Sequence, residues 1–350
     1  MNDPLRIGVI GLGIGRSHIE GFQMHPDAEV VAAADIDQEV LGRWAEEYQI
    51  SRTYQDYQQM LGEETLDIVS IATPNHLHLP MSLAAFQAGS HVLCEKPMAL
   101  NASEGRTMLE AAQKAGKRLM INFSFRFKPQ SMALWRQVKS GMLGEIYYAR
   151  TAWLRRRGMP RFGGWFGQKA LSGGGPLIDL GVHRLDLALW LMGYPKPVYV
   201  IGNCVHSIAT ELATQENKLF DVEDFASGYV QFDSGATLCL EASWASHIKE
   251  RELMETRLFG TKGGAHHYNL NEGYEFEVET YFEKDGDQYN MKLHHFPATP
   301  SHNSMYHFVD AIINDQPHMG TGEEGLIVME ILDALYQSSA TGKPVYIGQP

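Results

Sequence analysis

Between residues 5 and 122, short apolar runs take turns with helical patterns, and no other feature limits the fold of this chain so tightly. LRIGVI leads to a helix from about Ile14, VVAAAD to a helix through Trp44, DIVSIAT to a helix around Leu83, and HVLCEK to a helix through Met108, before RLMINF closes the series. Strand and helix alternating with tight connections make βαβ units, which wind into a mostly parallel sheet covered by helices on both faces. This predicts an α/β fold with an N-terminal doubly wound sheet. After Phe123 the rhythm changes: a helix around Trp135, strand EIYYARTAWL, a loop over residues 155–172 and one long apolar helix follow. From Val198 to about Phe296 the chain reads as strands, among them VYVIGNCVH, ASGYVQF, ATLCLEASWA, ETRLFG, YEFEVETYF and YNMKLHHF. Helices around Phe308 and from Glu324 to Tyr336, then strand PVYI, end the chain. The second part is therefore expected to be an α+β domain with a large, mainly antiparallel open sheet. The predicted domains are 1–123 and 124–350, the closing helices being able to pack back on the first.

The first turn reads GLGIGRSH and sits between a strand and a helix, where glycines let a pyrophosphate rest on helix N–H groups, as in a Rossmann dinucleotide site. Gly11, Gly13, Ile14, Gly15 and Arg16 are the candidate contacts, with Arg16 at the third fingerprint position and a glycine one place earlier. Asp35 ends the second strand about 20 residues on, where a carboxylate accepts from ribose hydroxyls and repels a 2′-phosphate. Ile36 follows it, not a basic residue, so NAD is expected over NADP. Thr73, Pro74, Asn75 and His78 follow the third clear strand and are candidates for the nicotinamide side.

GGGPLIDLGVH, from Gly173 to His183, looks like a helix start aimed at chemistry. Pro176 suits a first helical position, and the glycines before it allow close backbone approach to a ligand. Asp179 and His183 stand at i and i+4 on one face, and Gly181 between them leaves a bare surface on which a flat ring can lie. Taken alone, the segment reads equally well as a core helix with satisfied polar groups His183 and Asp186.

At 350 residues the chain fits two domains, and with 44% hydrophobic and 20% charged residues it is globular. A net charge of −13 disfavours nucleic acid and anionic membranes as partners, which leaves small molecules. Cys94, Cys204 and Cys239 have no paired spacing, which speaks for a reducing compartment. With no secretory leader or membrane-length apolar run in view, a cytoplasmic location is expected. No metal is expected: His266 with His267 and His294 with His295 fall in predicted strands, where neighbours point to opposite faces.

Glu95, Lys96 and Pro97 at the end of the strand HVLC complete a set of motifs by which the chain resembles the glucose-fructose oxidoreductase and inositol dehydrogenase family (Gfo/Idh/MocA) over nearly its whole length. The resemblance implies a catalytic Lys96, a catalytic Asp179 and His183, a cis bond before Pro97, cofactor contacts at Glu95 and Lys96, and a C-terminal sheet that forms the substrate floor and oligomer contacts. It implies hydride transfer between NAD(P) and a secondary alcohol of a sugar, inositol or related polyhydroxy compound, by a homodimer or homotetramer. In that chemistry His183 removes the hydroxyl proton, Lys96 steadies the alkoxide, and Asp179 orients the imidazole. Arg126, Arg155, Arg156 and Trp165 are candidate substrate contacts; Arg155 to Arg157 with Phe162, Trp165 and Phe166 read either as a lining for the cleft or as a solvated basic loop with its aromatics packed at a subunit contact. Two other functions stay open: a glycosidase that oxidises its substrate transiently with bound NAD, and a non-catalytic sensor of dinucleotide or sugar.

Overall fold

The computed structural model describes residues 3–294 and 303–348, so His295 and Phe296 of the last expected strand lie outside the described residues. The chain divides into two compact units, Met1–Ser124 with Ala298–Ile327 and Phe125–Pro297 with Val328–Pro350. In the first unit the elements run β1 (Leu5–Ile10), α1 (Leu12–Gln23), β2 (Ala28–Ala34), α2 (Gln38–Glu47), β3 (Arg52–Tyr54), α3 (Tyr57–Glu63), β4 (Ile68–Ile71), α4 (His78–Gln87), β5 (His91–Cys94), α5 (Ala102–Ala115) and β6 (Leu119–Ile121). The six strands lie in the order β3-β2-β1-β4-β5-β6 and every pair is parallel. Helices on both faces explain why β4 is buried at every position and shows no polar alternation. Strand order reverses between β1 and β4, the place where such sheets hold ligands beyond their strand ends. β3 and α3 escape the sequence pattern, because three residues are too few to display a period of two and α3 buries only Met60.

The second unit contains α6 (Pro129–Lys139), β7 (Ile146–Arg155), α7 (Lys169–Ser172), a π-helical turn at Leu177–Gly181, α8 (Val182–Met192), β8 (Pro197–Val205), α9 (Ile208–Gln215), β9 (Phe225–Phe232), β10 (Thr237–Ser243), β11 (Glu252–Gly260), β12 (Gly263–Asn269), β13 (Phe276–Lys284) and β14 (Asp287–Lys292). α10 (Ser304–Ile313) belongs to the first unit, α11 (Gly322–Thr341) starts there and ends in the second, and β15 (Val345–Tyr346) closes the second. Nine strands form one sheet in the order β14-β13-β12-β11-β7-β10-β9-β8-β15, antiparallel except where β7 meets β10. The almost wholly buried α8 packs on one face through β7 and β11. On the other face, side chains that alternate with the core residues make rows, one of which runs Glu279, His266, Arg257, Arg150, Cys239, Tyr229, Ile201 from β13 to β8. α9 corrects the expectation of unbroken strands after Val198: its first N–H groups, at Ile208 and Ala209, donate to Asp224 from 16 and 15 residues away, a cap invisible to local pattern.

Candidate functional site

In the first unit the candidate cofactor residues gather beyond the ends of β1, β2, β4 and β5. Gly11 has φ of 85°, a conformation that suits only glycine here, and a Cβ on it would meet the Ala72 carbonyl oxygen at 2.6 Å. A Cβ on Gly13 would meet nothing within 4 Å, and the N-cap Gly11 offers α1 no side-chain acceptor and its first turn no acid, so the N–H groups that follow Leu12, whose own N–H goes to Asp35, are open to an anion. Gly15, not Arg16, does the work of the third fingerprint glycine: a Cβ there would press on Val9 at 3.1 Å and Ala72 at 3.4 Å, so its bareness lets α1 sit close on the sheet. Ile14 is exposed beside it, and the exposed Arg16 guanidinium lies 5.3 Å over the ring of Trp44 on α2. Asp35 accepts the Leu12 N–H at 2.7 Å on one carboxylate oxygen and the Asp37 N–H at 2.9 Å on the other, which pins the glycine turn and leaves a lone pair on each oxygen for hydroxyl donors. Ile36 beside it is 90% exposed. These features fit a dinucleotide: open N–H groups for its phosphates and a carboxylate for its ribose.

Lys96 follows β5, half-buried, and its bond to Pro97 is cis, as the resemblance implied. Glu95 turns inward and is buried. One of its oxygens meets His18 Nε2 at 2.9 Å and accepts the Asn122 amide at 2.5 Å, while the other accepts the Lys96 backbone N–H at 3.2 Å. His18 Nδ1 lies 2.7 Å from Ser70 Oγ, and Ser304 on α10 donates to Asn122 at 2.7 Å, so five buried polar residues from separate elements share one network. Burial raises the Glu95 carboxyl, but the His18 contact, Lys96 and Asn122 outweigh it and the net shift is downward. His78 is also a correction: fully buried, its ring nitrogens lie 2.8 Å from the Pro97 carbonyl and 3.0 Å from the Thr73 carbonyl. Burial lowers its pKa despite those two carbonyls, so it ties the Thr73 loop to the Lys96 turn instead of facing a cofactor. Of that loop, Thr73 donates to Met81 Sδ, Pro74 precedes a short 3₁₀ turn, and Asn75 is buried within it.

In the second unit the glycine-rich segment is built for the protein's own side chains. A Cβ on Gly174 would collide with the Tyr336 hydroxyl and one on Gly175 with the Glu223 carbonyl, so these glycines admit neighbours rather than a ligand. Glu223 accepts the Gly175 N–H at 2.9 Å, the Leu177 N–H at 3.0 Å and the Tyr336 hydroxyl at 2.9 Å, which caps the helix start from 46 to 48 residues away. Burial, with Glu223 beside it, pushes the Tyr336 hydroxyl well up. The helix begins with a π turn over Leu177–Gly181, not with α geometry, a local widening common at functional sites. The bare surface of Gly181 is filled by Ala242, whose Cβ would stand 3.2 Å from an added Cβ, so no ring lies there. Asp179, half-buried in the π turn, accepts the Trp244 Nε1–H at 3.0 Å. His183 opens α8, half-buried, with its ring edge-on to Phe125 at 4.9 Å and tilted against Trp153 at 5.5 Å.

A sequence model of the oxidoreductase family with an NAD-binding Rossmann fold matches residues 5–123, and one of its C-terminal alpha/beta domain matches residues 136–347. The chain belongs to the Gfo/Idh/MocA oxidoreductases. Among its relatives, a D-glucoside 3-dehydrogenase of Escherichia coli K12 is 34% identical over 98% of both chains. A myo-inositol 2-dehydrogenase of Thermotoga maritima is 26% identical over 93% of both. A levoglucosan dehydrogenase solved in complex with NADH superposes with a TM-score of 0.87 at 23% identity, covering 99% of this chain and all of that one, and shares the fold.

Against this family background, the other expected contacts fall into place inside the second unit. Arg126 is fully buried and its guanidinium forks onto Asp186, at 2.9 Å and 2.5 Å, with the Tyr194 hydroxyl also in contact, which takes it out of reach of a substrate. Arg155 donates to Glu252 at 2.8 Å and to the Tyr274 hydroxyl at 3.1 Å, and Arg156 donates to the Ile248 carbonyl at 2.6 Å. Phe162 and Phe166 pack against the cluster of Phe125, Trp153, Phe220 and Trp244, and half-buried Trp165 stacks on Phe166 at 3.8 Å. His266 bonds Glu255 on the outer face at 2.9 Å while buried His267 stacks on Phe276 on the inner. Sequence reasoning passed over His18, Glu223, Trp244 and Arg184; the local signal for the last was its place beside His183, but nothing local tells that it is buried.

Proposed function

We propose that this chain is an NAD-dependent dehydrogenase that oxidises a secondary alcohol of a sugar, cyclitol or related polyhydroxy compound. The observation that carries the reading is the half-buried His183 imidazole at the start of α8 with Asp179 in the turn before it, in a chain similar along its length to sugar and inositol dehydrogenases. His183 removes the hydroxyl proton, Asp179 balances the imidazolium that forms, and Lys96 neutralises the developing alkoxide. Bound NAD supplies the hydride acceptor. Gly11, Gly13, Gly15 and the α1 N-terminus hold its phosphates, and Asp35 takes its ribose hydroxyls and disfavours a 2′-phosphate. A panel of polyols, sugars and cyclitols tests the reading: one NADH formed per substrate oxidised is expected. Release of free sugar without NADH accumulating, or dinucleotide binding with no turnover on any polyol, overturns it.

The outer face of the nine-stranded sheet carries exposed Ile201, Phe259 and Tyr346 in register with Tyr229, Tyr148 and Tyr199, apolar side chains that flank its charged row and support a homodimer or homotetramer. Light scattering at micromolar concentration is expected to give a multiple of the 39.2 kDa chain. A cytoplasmic location is supported by the free thiols of Cys94, Cys204 and Cys239; among the described residues no helix is long and apolar enough to cross a membrane.

A further inference from the structure

Arg184 follows His183 directly and is fully buried, yet among the described residues its Nε and Nη1 have no hydrogen-bond partner. Its Nη2 reaches the Met254 sulfur, at 3.6 Å. Rings enclose the guanidinium in place of a carboxylate: Phe125 at 4.5 Å, Phe276 at 5.1 Å and Trp153 at 5.4 Å. A buried cation without a counter-ion is costly, and ring faces repay only part of that cost. Burial pulls the Arg184 pKa down to about 9, with Glu252 and Tyr274 opposing the fall, so the group stays charged at neutral pH.

Two of the enclosing rings are also the walls of the His183 imidazole, Phe125 at 4.9 Å and Trp153 at 5.5 Å. Cation and imidazole therefore lie within roughly 10 Å of each other, about one Debye length, across apolar matter that screens little. Other charged and titratable groups of this unit have partners of their own. Glu252 already gathers Arg155, the Trp153 indole N–H and the Tyr274 hydroxyl. Arg126 and Asp186 neutralise each other. His267 is held well below its usual pKa by burial, with Arg184 adding to the effect, so it is neutral. Asp179, in the turn before His183, and Arg184, the residue after it, would act on the imidazole with opposite signs.

We propose that Arg184 is a built-in positive charge that keeps the His183 imidazole unprotonated, and therefore able to accept a proton, at and below neutral pH. A neighbouring cation disfavours the imidazolium, whereas a carboxylate in its place would favour it. The inference rests on His183 being the base. Two measurements keep the two claims apart: the pH dependence of kcat/KM for alcohol oxidation, and an NMR titration of the His183 C2 proton, which reads the imidazole whatever its role. Arg184→Met removes the charge and keeps an apolar body, and is expected to raise both the half-maximal pH of kcat/KM and the imidazole pKa by about one unit. Arg184→Lys, whose ammonium the same burial pulls toward neutrality, is expected to restore both in part, most fully on the acid side where the ammonium is charged. An unmoved imidazole pKa in a folded Arg184→Met variant overturns the proposal. So does a wild-type imidazole pKa at or above the ordinary value of about 6.5, a measurement that needs no variant to fold. A shifted imidazole with an unmoved activity profile supports the effect of Arg184 and removes His183 from the role of base.

Discussion

The two units hold their polar groups by different means. In the first, the groups that face outward are set by short stretches at strand ends: Gly11 by its positive φ, Asp35 by the N–H groups of Leu12 and Asp37, Lys96 by the turn at Pro97. In the second, each is held from far along the chain: the glycine segment by Glu223, Asp179 by Trp244 at a separation of 65 residues, Arg184 by rings from three other segments. The same residue type consequently means different things. Gly13 in the first unit faces open space, while Gly174 and Gly175 in the second are bare because Tyr336 and Glu223 stand against them. A glycine-rich motif is a ligand signal where the space before it is empty and a packing signal where a side chain fills it.

The largest effect belongs to the chemistry. His183→Ala and Lys96→Ala are each expected to lower kcat by 10² to 10⁴, about the range for lost acid–base help, while the dissociation constant for NAD moves by less than about twofold. Stopped-flow turnover and dinucleotide titration check this, and kcat within threefold of wild type for either variant breaks the catalytic assignment. Next comes the long-range cap. Glu223→Ala leaves the buried N–H groups of Gly175 and Leu177 and the Tyr336 hydroxyl without their acceptor, so a loss of about 3 kcal/mol in urea unfolding is expected. A loss under about 1 kcal/mol would mean that the glycine segment holds itself as locally as the Gly11 turn does.

Smaller effects sharpen the comparison. Asp35→Ser is expected to narrow the preference for NAD over NADP by about tenfold in paired dinucleotide titrations, since one charge is removed from a partly solvated site. The wild-type protein preferring NADP would contradict the role of the carboxylate. Arg156→Ala is expected to leave KM for the best substrate within about twofold, because its guanidinium is exposed and donates to the Ile248 carbonyl. A larger rise would return the arginine loop to the substrate.

The longer strands and helices up to Asn122, the dinucleotide turn and the wide C-terminal sheet were legible, because periodicity and glycine conformation are properties of neighbouring residues. Short elements were not: β3 and α3 bury too few side chains to leave a pattern, and α9 takes its cap from Asp224. The candidate site divided along the same line. Sequence order alone determined that Gly11 turns, that Asp35 ends a strand and that Lys96, Asp179 and His183 occur in the pattern of the family. Only the tertiary structure decided that Glu95 faces His18, 77 residues away, that Arg126 is consumed by Asp186, that Gly181 is filled by Ala242 and that Arg184 is enclosed by rings. The reason is physical: strand register and helix packing choose which distant side chains meet, and a buried polar group takes the partner those contacts offer, which no local run of residues records.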